Sequence, residues 1–207
     1  MDQIYERAIT ESKYVKMYAE ELCQKLHTST LEKLLTAGGK PLFRMLLCTR
    51  CQQEFQKMML EPTESDQVDE EQARKRAIGN IRFVGALYKA RLIQGKIVNW
   101  CLTNLIKGDP PRESYIEAFC VMLTECGEAM EFHGIESTKE TIKQVMTSIS
   151  RILEEYKTTL NTRVRFGIKD LIDLRRNRWR QRDLQVKEEA TTLDAVLTAH
   201  EQDQPPG

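Results

Sequence analysis

Apolar residues return at intervals of three and four along most of this chain, the spacing that lines one face of an α-helix. From Ser12 to Leu26 the positions Val15, Tyr18, Ala19, Leu22, Cys23 and Leu26 predict one such helix. Ser29 and Glu32 then form a capping-box pair, in which the hydroxyl accepts from an early amide while the carboxylate reaches back. The short run Leu31, Leu34 and Leu35 stops at Gly38-Gly39, and Pro41 stands where a first-turn proline is tolerated. Leu42, Met45, Leu46, Thr49 and Phe55 continue the helical spacing behind it.

Residues 61–72, EPTESDQVDEEQ, hold six acids and almost nothing apolar, and read as a solvated loop. A strong helical period resumes through Ile78, Ile81, Val84, Gly85, Tyr88 and Leu92. Gly79 and Gly85 each cost about 1 kcal/mol against alanine inside a helix, so their use there predicts close helix–helix approach. Ile97, Val98, Cys101, Leu102, Leu105 and Ile106 make a further face, ended by Gly108. Asp109-Pro110 reads as an N-cap and first-turn proline before Ile116, Phe119, Cys120, Leu123, Cys126 and Met130. After Gly134, Ser137 and Glu140 make a second capping box ahead of Ile142, Val145, Met146, Ile149, Ile152, Leu153 and Tyr156. Val164, Ile168, Leu171 and Ile172 mark one more helix. The last stretch is polar, with a weak period at Val186, Ala190, Leu193 and Leu197. An all-α chain of sequential, antiparallel helices follows, with no strand-hairpin signal.

Composition narrows the class. Of 207 residues, 41% are hydrophobic and 30% charged, enough to bury a core. Lys plus Arg equals Asp plus Glu at 31 each, so any nucleic-acid affinity must come from uneven placement of charge. The N-terminus is charged from its second residue, and no run approaches the roughly 20 apolar residues of a membrane span. That predicts no membrane contact and a place in the cytosol or nucleus.

Candidate chemistry is sparse. Cys48 and Cys51 form a C-x-x-C, but no second pair follows at zinc-ligand spacing, and His27, His133 and His200 lie far apart. No metal, cofactor or catalytic constellation is predicted, and no phosphate-binding glycine loop is present. The polar feature that stands out is a run of arginines, Arg175, Arg176, Arg178, Arg180 and Arg182, around Trp179. Such a run can neutralise phosphates while an aromatic plane stacks on an unpaired base. Equally, the arginines can pair with Asp170, Asp173 and Asp183 while Trp179 packs on the domain edge.

Several ordered segments carry a family resemblance. PLFRMLLCTRCQQEFQK, RKRAIGNIRFVGALYKARLI, VMLTECGEAMEF and TRVRFGIKDLIDLRRNRWRQR, preceded by IYERAITESKYVKMYAEEL, resemble successive helices of the middle domain of eukaryotic translation initiation factor 4G. The second of these is the most specific, through its Gly79-Asn80-Ile81 core. The resemblance covers about residues 3–182 and implies a HEAT-type solenoid of antiparallel helix pairs. Its first repeat would be incomplete, because the family's opening helix has no counterpart. A domain over 1–182 and a polar tail over 183–207 are expected.

The same resemblance implies a non-catalytic, cytoplasmic translation-initiation scaffold that binds and activates the DEAD-box RNA helicase called factor 4A. Weak binding of mRNA or other RNA, and contact with other initiation factors, are also implied. The stretch associated with helicase contact reads Arg163-Val164-Arg165-Phe166, with Phe166 off the apolar stripe. Related solenoids serve nonsense-mediated decay, splicing and nuclear cap binding, and a chiefly RNA-binding role is a further alternative. Departures from the family pattern include a longer connection at 28–40 and Ala86 after Gly85. Nor is there a cap-binding-protein motif, since Leu22 follows Tyr18 one residue too early.

Overall fold

The structure, a computed structural model, describes residues 2–23, 25–26, 36–37, 40–60 and 70–180. Helix α1 spans Asp2–Thr10 and is followed by a 3-10 turn at Ser12–Tyr14 and a π-helical segment at Met17–Cys23. Two-residue strands β1 (Thr36–Ala37) and β2 (Lys40–Pro41) pair antiparallel. Helices α2 (Leu42–Met59), α3 (Glu70–Lys89), α4 (Gly95–Leu105), α5 (Glu113–His133), α6 (Glu136–Glu155) and α7 (Thr162–Arg176) complete the described chain.

Helices α1 and α3, α3 and α5, and α5 and α7 lie side by side. Helix α4 packs against α3, α5 and α6, and α6 against α5 and α7, so successive helices form stacked pairs. The inner layer is wet on few sides: in α3, Ile81, Phe83, Val84, Ala86 and Leu87 are all buried, covering most of the helix circumference. The glycines let it sit there. A Cβ on Gly79 would lie 1.9 Å from the carbonyl oxygen of Ile9 in α1, and one on Gly85 would lie 2.8 Å from Cγ of Glu125 in α5.

A polar clamp fastens α1 and α2 onto α3. Arg76 donates to both oxygens of Glu6 at 2.6 and 2.7 Å, and its Nε donates to Glu54 at 3.0 Å. Arg50 adds a bond to Glu6 at 3.1 Å, and its guanidinium lies 5.4 Å from the ring centre of Tyr5. Below, the buried Tyr5 hydroxyl donates to Asn80 Oδ1 at 2.8 Å, and Asn80 Nδ2 donates to the Cys51 carbonyl at 3.1 Å. The Arg76 hydrogen bonds hold the Glu6 carboxyl down to about 2. At Glu54 burial opposes ionisation, yet Arg76 and Lys57 keep its carboxyl below the ordinary range.

Several expectations are corrected. The single helix expected over Ser12–Leu26 opens with a 3-10 turn and is π-helical over Met17–Cys23, with α-helical residues at 15–16 and 25–26, and Val15, Tyr18, Ala19 and Cys23 are buried as the spacing implied. Pro41 ends β2 rather than sitting inside a helix. In α2 the buried face is Leu47, Cys51, Glu54 and Phe55, while Met45, Leu46 and Thr49 are exposed. Apolar counting misses this rotation because a carboxylate, Glu54, belongs to the interior. Of the acidic loop, residues 70–72 are the first turn of α3, where the Glu71 carboxylate suits the amide end of the helix. The rest of that loop and the Ser29–Glu32 box lie outside the described residues. Neither remaining cap holds: α5 starts at Glu113 after Arg112, with Asp109-Pro110 a cis bond in the preceding turn, and α6 is capped by Ile135, not Ser137.

Two tests follow from the clamp. Gly79→Ala forces α1 off α3 and costs about 2–3 kcal/mol of stability. Gly167→Ala in α7, where a Cβ meets nothing within 4 Å, gains about 0.5–1 kcal/mol. Urea unfolding followed by circular dichroism separates the two signs. In a pH series, the clamp contribution of Glu6 is fully present above its ordinary value of 4.5 and is lost as pH falls through about 2. Glu6→Gln is therefore less stable than wild type at neutral pH, and the gap narrows across that acid window.

Candidate interaction surfaces at the two ends of α7

Helix α7 begins with a side-chain cap: Asn161 Oδ1 accepts from the Val164 amide at 2.9 Å. The cap residue is itself held from α5, since its backbone amide donates to Glu113 at 2.5 Å. Inward positions Val164, Ile168 and Leu171 are buried against α5 and α6. That register leaves Phe166 pointing outward, 57% exposed, with Lys169 Nζ 5.6 Å from its ring centre.

The two flanking arginines behave differently. Arg163 reaches Glu117 of α5 at 2.6 Å yet keeps 71% of its side-chain surface exposed. Glu117 also receives two bonds from Arg74 of α3, at 2.5 and 2.9 Å, so one carboxylate joins the first turns of three helices. Arg165 turns back instead: Nη1 donates to the Lys157 carbonyl and Nη2 to the Thr162 hydroxyl, both at 3.1 Å. It braces the α6–α7 turn. Arg163 and Phe166 thus share an outward corner, whereas Arg165 is partly used by the fold.

At the other end, roughly 20 Å away for a helix of this length, the chain closes in a left-handed turn. Arg178 and Trp179 have φ of 54° and 62°. The Trp179 amide donates to the Leu174 carbonyl at 2.8 Å and the Arg178 amide to the Arg175 carbonyl at 2.9 Å, the bonds of a Schellman motif. This turn folds the indole back onto α5. Its Nε1 donates to Glu131 at 2.7 Å, and the ring covers Gly127, where a Cβ would lie 2.2 Å from Cζ3. Arg175 joins the same carboxylate at 2.7 Å. Burial opposes ionisation of Glu131, but Arg175 and Trp179 hold its carboxyl below the usual range.

The arginine cluster is therefore divided. Trp179, 8% exposed, is a core residue and offers no face for a base to stack on, and Arg175 is engaged inward. Arg176 makes a weak contact with Asp173 at 3.4 Å and stays 76% exposed; Arg178 and Arg180 are exposed as well. An open groove of about 510 Å³, lined by Met146, Thr147, Ser150, Ile172, Arg175 and Arg176, adjoins them. Arg182 lies outside the described residues. Glu117, Glu131 and Lys169 were not anticipated. The two glutamates act from α5, more than forty positions earlier in the chain, where no local spacing points to α7.

Among the described residues no group of three or more His, Cys, Asp or Glu is placed to hold a metal ion. The six cysteines are free thiols, and burial pushes Cys101 and Cys120 up to about 12 and Cys51 well above its ordinary value. No helix among the described residues is long and apolar enough to cross a membrane.

Stacked helix pairs that present side chains at their ends define a helical scaffold. The chain belongs to the MIF4G domain family, which matches residues 1–178. Members of this family are non-catalytic scaffolds of translation and RNA-processing complexes. Among curated relatives, the chain is 32% identical over 198 residues to eukaryotic translation initiation factor 4G of Cucumis melo, covering 88% of this chain and 10% of that protein. It is 31% identical over 201 residues to eukaryotic translation initiation factor 4 gamma 3 of Homo sapiens, covering 86% and 12%. Eukaryotic translation initiation factor 4 gamma of Dictyostelium discoideum is 28% identical over 243 residues, covering 95% and 17%. The chain thus spans only a small fraction of the relatives it matches.

Trp179→Ala removes the ring from Gly127 and one donor from Glu131. Urea unfolding is expected to show a loss of about 3–5 kcal/mol, the cost of deleting a buried aromatic.

Proposed function

We propose that this domain is a translation-initiation scaffold that binds and activates the DEAD-box RNA helicase factor 4A, through a HEAT-type stack of helix pairs. The observation that carries this reading is Phe166: an aromatic more than half exposed, on a rigid capped helix, between an outward arginine and a lysine. Aromatic and arginine side chains on a pre-ordered frame are the usual anchors of a protein interface. The relatives named as initiation factor 4G support the choice of complex.

Activation needs no chemistry from the scaffold. A partner with two lobes is shifted toward its closed, productive arrangement by contacts that are better made in that state. Phe166 and Arg163 would form one such contact. The exposed Arg176, Arg178 and Arg180, at the far end of α7, would supply the weak RNA affinity, as phosphate contacts. We place the domain at 1–182, with 183–207 as a polar tail, in the cytoplasm.

Phe166→Ala is expected to weaken binding of factor 4A by about 10- to 50-fold, the range of a single interface anchor. Saturating stimulation of the helicase ATPase near one-to-one stoichiometry is expected from the wild-type domain. Equal affinity of wild type and Phe166→Ala, with unchanged circular dichroism, would remove this corner from the interface. No stimulation and no binding by wild type would move the domain to another RNA-processing complex.

A further inference from the structure

We propose that the groove between α2 and α4 is a docking site for an amphipathic helical peptide whose apolar anchors are flanked by acidic residues. In the outer row of helices, α4 packs along α6 but meets α2 only marginally, so the row is open at that point. Side chains bridge the gap instead. The rings of Phe55 and Trp100 meet at 5.3 Å between centres, and Trp100 remains 49% exposed. Beside this contact, between α2 and α4 and floored by α3, lies a cavity of about 340 Å³ walled by Cys48, Phe55, Val84, Ile97, Trp100 and Cys101.

Apart from Gln52 and Lys96 its lining is apolar, and it follows helical spacing. Cys48, Cys51 or Gln52, and Phe55 lie three and four residues apart on α2, and Ile97, Trp100 and Cys101 three and four apart on α4; Gln52 and Trp100 are exposed. A slot with such a lining accepts side chains at the three- and four-residue spacing of a docked helix. A half-exposed tryptophan over an apolar cavity is also the arrangement of an interface anchor.

Charge selects the occupant. Lys96 lines the cavity, is exposed and has no ion-pair partner among the described residues. Among the described residues the lining contains no acid. Lys96 stands in the first turn of α4, whose cap residue Gln94 makes no side-chain bond to the helix amides, so the dipole adds to the lysine's positive potential. A peptide with Asp or Glu beside its anchors meets that potential favourably; a basic one is repelled. Phe166, in the first turn of α7, is not among the lining residues, so occupancy is separable from helicase binding.

A phage-displayed library of random dodecapeptides, panned on the whole chain, tests this. Enriched peptides are expected to carry two apolar residues three or four apart with neighbouring Asp or Glu. In fluorescein-labelled form they should blue-shift Trp100 emission, lose about tenfold or more in affinity on Lys96→Glu, and bind neither Trp100→Ala nor Gln52→Glu. The Gln52 variant alters only an exposed residue of the lining, so it reports even where the Trp100 variant is destabilised. Factor 4A binding should be unchanged in both. Enrichment that survives all three substitutions, enrichment of basic sequences, or no enrichment would overturn the proposal. So would tighter peptide binding on removal of residues 183–207, which would mark the chain's own tail as the occupant.

Discussion

The first helices of this domain are set in register by a carboxylate–guanidinium cluster laid over an apolar seam that includes Tyr5, Ile9, Leu47 and Phe55. Arg76 of α3 stands between Glu6 of α1 and Glu54 of α2, with Arg50 closing the ring. Buried charge is an expensive adhesive, since desolvation can cancel the attraction unless every lone pair and proton is used. Here that condition is approached by two-oxygen recognition at Glu6, three cationic partners at Glu54, and the Tyr5–Asn80–Cys51 chain beneath. What such a cluster adds is register. Apolar helices slide with little penalty, whereas a displaced Glu54 would be left buried without partners. The backbone contact of Gly79 on Ile9 is possible only in that register.

The same device is repeated along the stack with α5 as its centre. Glu117 joins α3 to α7, Glu125 takes Lys89 of α3, and Glu131 takes Arg175 and Trp179. One helix therefore carries a series of carboxylates that read its two neighbours, while its apolar face fills the core. Glycines accompany two of these contacts: Gly85 beneath Glu125 and Gly127 beneath Trp179. Close approach places the backbones so that short, direct ion pairs can form between helices. The two ends of α7 inherit their geometry from this arrangement.

Much of this was legible as pattern. In α6, Ile142, Val145, Met146, Ile149, Ile152 and Leu153 are all buried, as their spacing implied, and a Cβ on either close-approach glycine would come within 3 Å of a neighbouring helix. Helix starts were not legible. Ser137 and Asp109 have the right side chains for caps, but the backbone chooses Ile135 and Arg112, whose carbonyls accept the first amide bonds without side-chain help. The left-handed turns were hidden for a related reason. Apart from Gly108, they fall on Arg91, Arg178 and Trp179, which no residue type announces. Trp179 among arginines could therefore be read either as a stacking platform or as packing on the domain edge, and the turn buries it in the second way.

That turn also settles how the arginines are to be weighed. A guanidinium near a candidate surface is evidence for a partner only in proportion to what the fold leaves unused. Arg175 spends its donors on Glu131, and Arg165 on Lys157 and Thr162. Replacing either perturbs the turn it braces, so loss of binding in such a variant would not distinguish an interface from a damaged helix end. Arg163 holds Glu117 through one nitrogen and still faces solvent, and Phe166 packs on nothing deeper than Lys169. These two side chains can be removed while the cap at Asn161 and the core at Val164 and Ile168 stay in place. The exposed corner is thus both the part of α7 most available to a partner and the part whose removal the fold is best able to tolerate.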